Sequence, residues 1–119
     1  MVVLTLRLFP AREQRRHVLG VLRSVQGPTQ AQPDCLSCRI FEEDGYEEAI
    51  LYIEKWDSEP ALHRHIRSEL YRRILSALEL SRIPPEIQFH YVSETKGIDL
   101  IESLRAQANG DHKSMEPTT

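Results

Sequence analysis

Residues 48–68 read EAILYIEKWDSEPALHRHIRS, and this stretch decides the fold. Its first half places apolar residues on both sides of an extended chain, as in a strand that is covered on both faces. A helix start follows Trp56, with Asp57 or Ser58 as the cap and Pro60 in the first turn. The second half repeats apolar residues at helical spacing. The stretch therefore predicts a buried strand that leads directly into an amphipathic helix.

Three further strands are predicted outside this segment, which gives four in all. Alternation or apolar runs bounded by turn residues indicate strands at 2–8, 35–42, 48–56 and 87–92. Asp44-Gly45 is a tight-turn signal between the second and third of these, which should therefore form a hairpin.

Three helices are predicted between and after the strands. The first begins near Pro10 and is expected to end at the Gly27-Pro28 pair. The second is the capped helix, which should contain an irregularity and resume with Leu75 among its inner residues. A short third helix is expected at about 98–106.

The resulting order, β-α-β-β-α-β, is the α+β split βαβ or ferredoxin-like arrangement. It predicts a four-stranded antiparallel sheet with both long helices on one face. We expect a single domain over residues 1–106, with its core in 2–94, and a disordered tail at 107–119, which is polar and lacks apolar periodicity.

Composition excludes several classes of protein. A chain of 119 residues with net charge −3 gives no electrostatic case for binding nucleic acid or an acidic membrane surface. No apolar run approaches the roughly 20 residues that span a bilayer. The first ten residues resemble a strand more than a signal peptide, so a cytoplasmic location is expected.

Cys35 and Cys38 form a C-x-x-C pair within the predicted second strand. Residues three apart on a regular strand point to opposite faces, so the two sulfurs should diverge. A metal site would need a second pair of ligands, which the sequence lacks. Ordinary, mostly buried thiols are therefore expected, and no metal site.

The strands at 35–42 and 48–56 carry apolar residues on both faces, although the long helices can cover only one. Ile50, Tyr52 and Trp56 point one way, and Leu51 and Ile53 point the other. A homodimer in which a second copy covers the remaining face explains this pattern. The alternative is that the C-terminal helix covers it.

His65 is the main catalytic candidate. It lies between Leu62 and Ile66 on the apolar side of the second helix, so it should face inward. An inward histidine can act as a base or hydrogen-bond donor, or it can be a core residue bonded to a strand. Glu54 lies in an apolar strand and needs a partner, for which a salt bridge to a helix or to another subunit is favoured over catalysis.

Aromatic residues near His65 suggest a binding site for a small aromatic molecule. Tyr52 and Trp56 share a strand face and can form the wall of a pocket, to which Leu62, Ile66 and Phe89 are predicted to contribute. A core or dimer-interface cluster is the other interpretation of the same residues.

The sequence resembles the antibiotic biosynthesis monooxygenase family over about residues 2–94. The resemblance rests on Glu54-Lys55-Trp56 at the end of a strand, His65 nine positions after the tryptophan, Ser68, and the upstream segment CLSCRIFEE at 35–43. It implies a dimeric α/β barrel with a ligand cleft in each subunit. Several members of the family oxygenate quinols or polycyclic phenols without metal or flavin, so no cofactor is expected and His65 is expected to assist proton transfer.

The resemblance does not extend to the haem-degrading branch of the family. That branch carries tryptophan where this chain has His65, its haem-binding histidine where this chain has Leu75, and an asparagine on the first strand, which is absent here. No glycine-rich phosphate loop or dinucleotide fingerprint is present. Beside a quinol-type monooxygenase, two alternatives remain: a non-catalytic ligand-binding or stress-related module, and an isomerase or lyase of a small metabolite.

Overall fold

The N-terminal strand is one of the two inner strands of the sheet, and every second residue of its sequence VVLTLRL is buried. The computed structural model describes residues 1–45 and 48–110. Its elements are β1 (Val2–Leu8), a 3₁₀ turn (Arg12–Gln14), α1 (Arg15–Gln30), β2 (Cys35–Glu42), β3 (Ile50–Trp56), α2 (Glu59–Ile66), α3 (Tyr71–Glu79), β4 (Glu86–Tyr91) and α4 (Ile98–Gly110).

The four strands form one antiparallel sheet in the order β2-β3-β1-β4. This confirms the predicted α+β, ferredoxin-like fold and the pairing of the second and third strands. In one cross-strand row, Cys38 on β2 lies opposite Glu54, Glu54 opposite Leu4, and Leu4 opposite Phe89 on β4. Paired residues project to the same face, so this row defines the side on which the helices pack.

The helices cover that face only over β1, β2 and β3. Its main cluster contains Leu4, Leu6, Leu8, Val18, Leu22, Val25, Cys38, Ile50, Tyr52, Tyr71 and Ile74. A smaller cluster joins Val2, Trp56, Ala61 and Leu62. The two clusters meet at Cys35 and Ile66, which pack against both.

Helix α1 continues past the point where the sequence predicts its end. It includes Pro28 and runs to Gln30, so the expected stop at Gly27-Pro28 is wrong. Tertiary contacts hold the last turn in place: Thr29 is fully buried, and the Gln30 amide donates to the Cys38 carbonyl at 2.9 Å. These contacts outweigh the hydrogen bond that proline cannot make.

A bulge at Leu36 changes the direction of the two cysteines. Cys35 pairs with Trp56 and Cys38 with Glu54, so both cysteines face the helices. The expectation that their sulfurs diverge is wrong, because one extra residue in the strand restores both to the same side. Both cysteines are free, and Leu36 itself is exposed.

The predicted second helix is divided into α2 and α3, which confirms the expected irregularity. Ser58 is the N-cap of α2, where its hydroxyl accepts a hydrogen bond from the Ala61 amide. The break between the helices changes which side of the second one faces the core, so that Tyr71 and Ile74 are buried. Leu75, which was expected on the inner side, is therefore exposed.

Apolar surface remains exposed on β4 and α4. Ile87, Phe89 and Tyr91 share the helix-side face of β4 but lie beyond the helices. The exposed apolar residues of α4 are Ile98, Leu100, Ile101 and Leu104. Their exposure argues against the alternative in which α4 covers the second sheet face.

The remaining boundaries differ little from the predicted ones. β3 begins two residues after the predicted Glu48, which has a positive φ of 53° and so interrupts the extended chain. The rest of the hairpin turn, at 46–47, and residues 111–119 of the predicted tail lie outside the described residues. Helix α4 extends to Gly110 rather than ending near 106. Within residues 1–45 and 48–110, no helix has both the length and the apolar content needed to cross a membrane.

A buried carboxylate–imidazole site

Glu54 is a fully buried carboxylate at the centre of the helix-side face. The period of two along β3 places Tyr52 and Trp56 on the same face, one on either side of it. The Tyr52 hydroxyl donates to Glu54 Oε2 at 2.5 Å, and the Trp56 indole nitrogen donates to Oε1 at 2.9 Å. His65 Nε2 lies 3.0 Å from Oε2. Glu54 therefore accepts from three side chains, an arrangement that a carboxylate with no proton of its own satisfies completely.

His65 is held on both ring nitrogens. Its position on the inner side of α2 points the ring at β3, which confirms the predicted inward orientation and the expected strand-to-helix partner for Glu54. On the opposite side of the ring, Gln32 Nε2 lies 3.0 Å from Nδ1. Because the Gln32 amide donates, Nδ1 is an acceptor and Nε2 carries the proton that Glu54 binds.

Two aromatic rings flank the imidazole of His65. The Trp56 ring centroid is 5.1 Å away with a tilt of 36°, and Tyr71 meets the imidazole edge-on at 5.3 Å. His65 is only 1% exposed. The imidazole is therefore fixed in a dry aromatic environment, with one lone pair directed toward Gln32.

A second branch of the network runs away from His65 through Tyr52. The Cys38 thiol donates to the Tyr52 hydroxyl at 3.2 Å, and that hydroxyl in turn donates a hydrogen bond to Glu54. Burial raises the pKa of Cys38 to about 12, and the charge of Glu54 adds to the shift. Burial, followed by the Glu54 charge, raises the pKa of Tyr52 far above its usual range. Both groups therefore remain protonated donors at neutral pH.

The same negative charge reaches the other aromatic neighbour of His65. Burial and then the Glu54 charge raise the pKa of Tyr71 above its ordinary value. The site thus disfavours any further negative charge near Glu54.

The structure brings most of the predicted site residues together. Tyr52 and Trp56 contact Glu54, while Leu62 and Ile66 lie on α2 with His65 and pack with the adjoining clusters. Phe89 is separate from them, because β1 lies between β4 and β3. That places it about two strand spacings, roughly 10 Å, from Glu54. Its predicted role in binding gains no support from this position.

Sequence reasoning did not identify Gln32, Cys38 or Tyr71 as parts of this network. Cys38 carried a usable signal, since it belongs to the strand that pairs with β3. Gln32 carried none, because its contact with His65 joins a loop to a helix 33 residues away. Among the described residues, no three histidine, cysteine, aspartate or glutamate side chains are grouped so as to hold a metal ion.

Several solved structures share this fold, and some of them are described as oxygenases. Protein Rv0793 from Mycobacterium tuberculosis superposes with a TM-score of 0.72 at 22% identity, covering 81% of this chain and 98% of that one. A putative antibiotic biosynthesis monooxygenase from Deinococcus radiodurans gives 0.73 at 22%, covering 82% and 98%. SnoaB, a cofactor-independent oxygenase from Streptomyces nogalater, gives 0.67 at 15%, covering 79% and 94%.

Sequence comparison gives a concordant result. An uncharacterized protein from Synechocystis is 20% identical over 85 residues, which are 71% of this chain and 58% of that relative. This chain thus spans less than two thirds of the length of that curated relative. The family described as antibiotic biosynthesis monooxygenase matches residues 1–77, a range that holds every member of the Glu54–His65 network. Because that match covers more than half of its length, the chain belongs to the antibiotic biosynthesis monooxygenase family.

Proposed function

We propose that this chain is a monooxygenase that needs neither metal nor flavin and oxidises a small, quinol-type hydroxyarene. The observation that carries the proposal is the hydrogen bonding of the two His65 ring nitrogens. Glu54 holds its Nε2 proton while Nδ1 is an acceptor, so the ring is ready to take a proton from a phenolic hydroxyl. Membership of the family and the likeness in fold to SnoaB support the choice of oxygen chemistry.

The reaction balances without an external reductant. His65 takes the hydroxyl proton, and the electron-rich phenolate passes one electron to dioxygen. The resulting radical pair recombines at a ring carbon, and the peroxide that forms takes the proton back from His65 to become a hydroperoxide. The O–O bond then breaks, one oxygen stays on the ring as the carbonyl or hydroxyl of a hydroxyquinone, and the other leaves as water. The quinol supplies all four electrons that dioxygen accepts.

Each member of the network has a defined part in this proposal. Glu54 stabilises the imidazolium that forms when His65 takes the proton, and Tyr52 and Trp56 keep Glu54 in place. Burial of the site excludes water, which strengthens these interactions and protects the intermediates. Leu62 and Ile66 contribute the apolar surroundings.

Oxygen uptake with a panel of quinols tests the proposal. We expect His65→Gln to lower kcat/KM by about 10²–10⁴-fold, as for loss of a general base. Glutamine can still donate to Glu54, so the fold should survive. His63→Gln is the matched control, since His63 is two residues away on the same helix and pairs with Glu59 at the surface. No oxygen uptake by the wild type with any quinol would refute the proposed activity.

We also propose that the chain works as a homodimer of the α/β-barrel type, in which two copies cover each other's second sheet face. Phe41 is 45% exposed on that face, opposite the half-buried Leu51. Light scattering tests this: Phe41→Asp should yield monomers. Leu75→Asp, an equal change on the exposed side of α3, should leave dimers. A monomeric wild type, or a dimeric Phe41→Asp variant, would contradict the arrangement.

A further inference from the structure

Gln32 stands between His65 and solvent. Its backbone lies in the α1–β2 loop, where its amide donates to the Thr29 carbonyl and its carbonyl accepts from the Cys35 amide. Its side chain is half-buried, whereas Glu54, on the other side of the imidazole, is fully buried. Of the two hydrogen-bonding partners of the His65 ring, Gln32 is therefore the one on the solvent side.

We propose that the Gln32 amide occupies the position of the substrate hydroxyl, and that the site accepts neutral hydroxyl donors and rejects carboxylates. The inference rests on the proposed function, for which it specifies the class of ligand. An amide N–H directed at Nδ1 from 3.0 Å makes the same hydrogen bond that a phenolic O–H would make. Gln32 is thus a positioning residue that keeps Nδ1 unprotonated until the ligand replaces it.

The loop allows this exchange without a change in the backbone. Asp34 fastens the loop to the start of α2, because its carboxylate accepts from the Ser58 hydroxyl at 3.0 Å and its carbonyl accepts from the Asp57 amide at 2.9 Å. The backbone of Gln32 is therefore held in place by its own hydrogen bonds and by those of Asp34. In the proposed exchange only the Gln32 side chain rotates, and its amide moves away from Nδ1.

Selection for neutral ligands follows from the charge behind the imidazole. A ligand oxygen at Nδ1 would lie on the far side of the ring from Glu54 Oε2, which is itself 3.0 Å from Nε2. At a separation of about 7 Å and an effective dielectric of about 20, repulsion between two negative charges weakens binding by roughly 50-fold. A carboxylate also has no proton to donate to Nδ1.

Binding of 2-naphthol and of 2-naphthoate distinguishes these possibilities, since the two probes share a ring system and differ in charge. Titrations under nitrogen, followed by ¹⁵N NMR, need no turnover. We expect 2-naphthol to shift both the His65 Nδ1 signal and the Gln32 side-chain amide signal, and 2-naphthoate to bind at least 10-fold more weakly.

Substitution of Gln32 then tests whether it competes with the ligand. Gln32→Leu removes the competing donor and should tighten 2-naphthol binding by about 2–10-fold, which is the net value of one hydrogen bond. Gln30→Leu is the matched control, because Gln30 donates to the Cys38 carbonyl instead and should leave the affinity unchanged. Gln32→Ala serves as a second variant if the leucine variant is unstable.

The charge-changing variant gives an independent readout. In Gln32→Glu a carboxylate faces Nδ1, so His65 should acquire a second proton, seen in both ring ¹⁵N shifts, and 2-naphthol binding should be lost. Unshifted Gln32 and His65 signals on 2-naphthol addition, equal binding of 2-naphthoate, or no gain in both Gln32→Leu and Gln32→Ala would overturn the inference. Binding as expected without oxygen uptake would instead refute only the proposed oxygenase activity.

Discussion

Replacing Glu54 by glutamine asks whether the carboxylate in the core is charged. Glutamine has nearly the shape of a protonated glutamate, so Glu54→Gln changes charge and hydrogen bonding but scarcely changes packing. The amide oxygen can take the place of one carboxylate oxygen and keep one set of donors. The NH₂ group takes the place of the other oxygen and faces donors that previously had an acceptor. If the NH₂ group replaces Oε2, these donors are the Tyr52 hydroxyl and His65 Nε2.

The expected loss of stability follows from these contacts. A hydrogen bond to a charged group contributes about 1.5–3 kcal/mol. The variant therefore loses about 1.5–3 kcal/mol if the NH₂ group replaces Oε1 and faces Trp56, and about 3–6 kcal/mol if it replaces Oε2. Rotation of the Tyr52 hydroxyl, so that it accepts from the new amide, recovers part of this. We therefore expect the free energy of unfolding to fall by about 1.5–5 kcal/mol, a large share of the roughly 5–15 kcal/mol available to a small domain.

Urea denaturation, followed by fluorescence of the single Trp56, measures this difference. Glu102→Gln on the exposed surface of α4 is the control and should change stability by less than about 0.5 kcal/mol. A loss below about 1 kcal/mol for Glu54→Gln would refute the reasoning. It would mean that the native core already holds a neutral acid and that the imidazole has no anionic partner.

Three further predictions concern pH, α1 and α4. Because the pKa of Cys38 is raised to about 12 and that of Tyr52 still more, from 9.0 and 10.0 in the unfolded chain, stability should be constant below pH 9 with respect to these groups. Cys38 lowers stability by about 1.4 kcal/mol per pH unit above pH 9, and Tyr52 does so above pH 10, so urea titrations at pH 8–11 should show a shallower decline for Cys38→Ala. Pro28→Ala restores an amide inside α1 and should stabilise the fold by about 1–2 kcal/mol, measured as a higher urea midpoint; no gain would show that the helix already tolerates the proline. Ile101→Asp should change the free energy of unfolding, measured by urea denaturation, by less than about 0.5 kcal/mol, because Ile101 is 54% exposed, and a larger loss would place α4 in the folded core.

Much of the fold could be predicted because local signals and tertiary packing agree over β1, β3 and α2. The alternation in β1 and the Ser58 cap are properties of a few neighbouring residues, and both persist in the structure. Where the prediction failed, a distant contact decided the outcome. The Gly27-Pro28 pair is a strong local stop, yet α1 continues because Thr29 is buried and Gln30 reaches the sheet.

The bulge at Leu36 illustrates a different limit of sequence reasoning. Side chains on a strand alternate, so one inserted residue reverses every assignment on one side of it. Nothing in CLSCRIF specifies where the extra residue lies, and the regular pattern placed Cys35 on the wrong face. The same limit affected Leu75, since the break before α3 resets the helical phase by an amount that the apolar spacing does not determine.

The candidate site was half predictable for a related reason. Burial alone indicates that Glu54 in an apolar strand requires a partner and that His65 on the inner side of the next helix faces the core, but it does not assign the two residues to each other. The second contact of the imidazole is not indicated at all, because a loop glutamine can reach many positions. The residue that decides access to His65 is therefore one that sequence patterns leave undetermined.

The energetic cost of the Glu54–His65 pair indicates whether the pair serves stability or reactivity. A buried carboxylate whose partner is a neutral imidazole retains a net charge in the core, and well-packed apolar residues of similar volume are often as stable or more so. Stability alone thus gives little reason to keep Glu54, Tyr52 and Trp56 in one network. In the proposed reaction, proton transfer to Nδ1 places an imidazolium opposite an anion 3.0 Å away in a medium that screens the pair poorly. Glu54 thus stabilises a charge that arises only during that step, as expected of a site organised for the reaction.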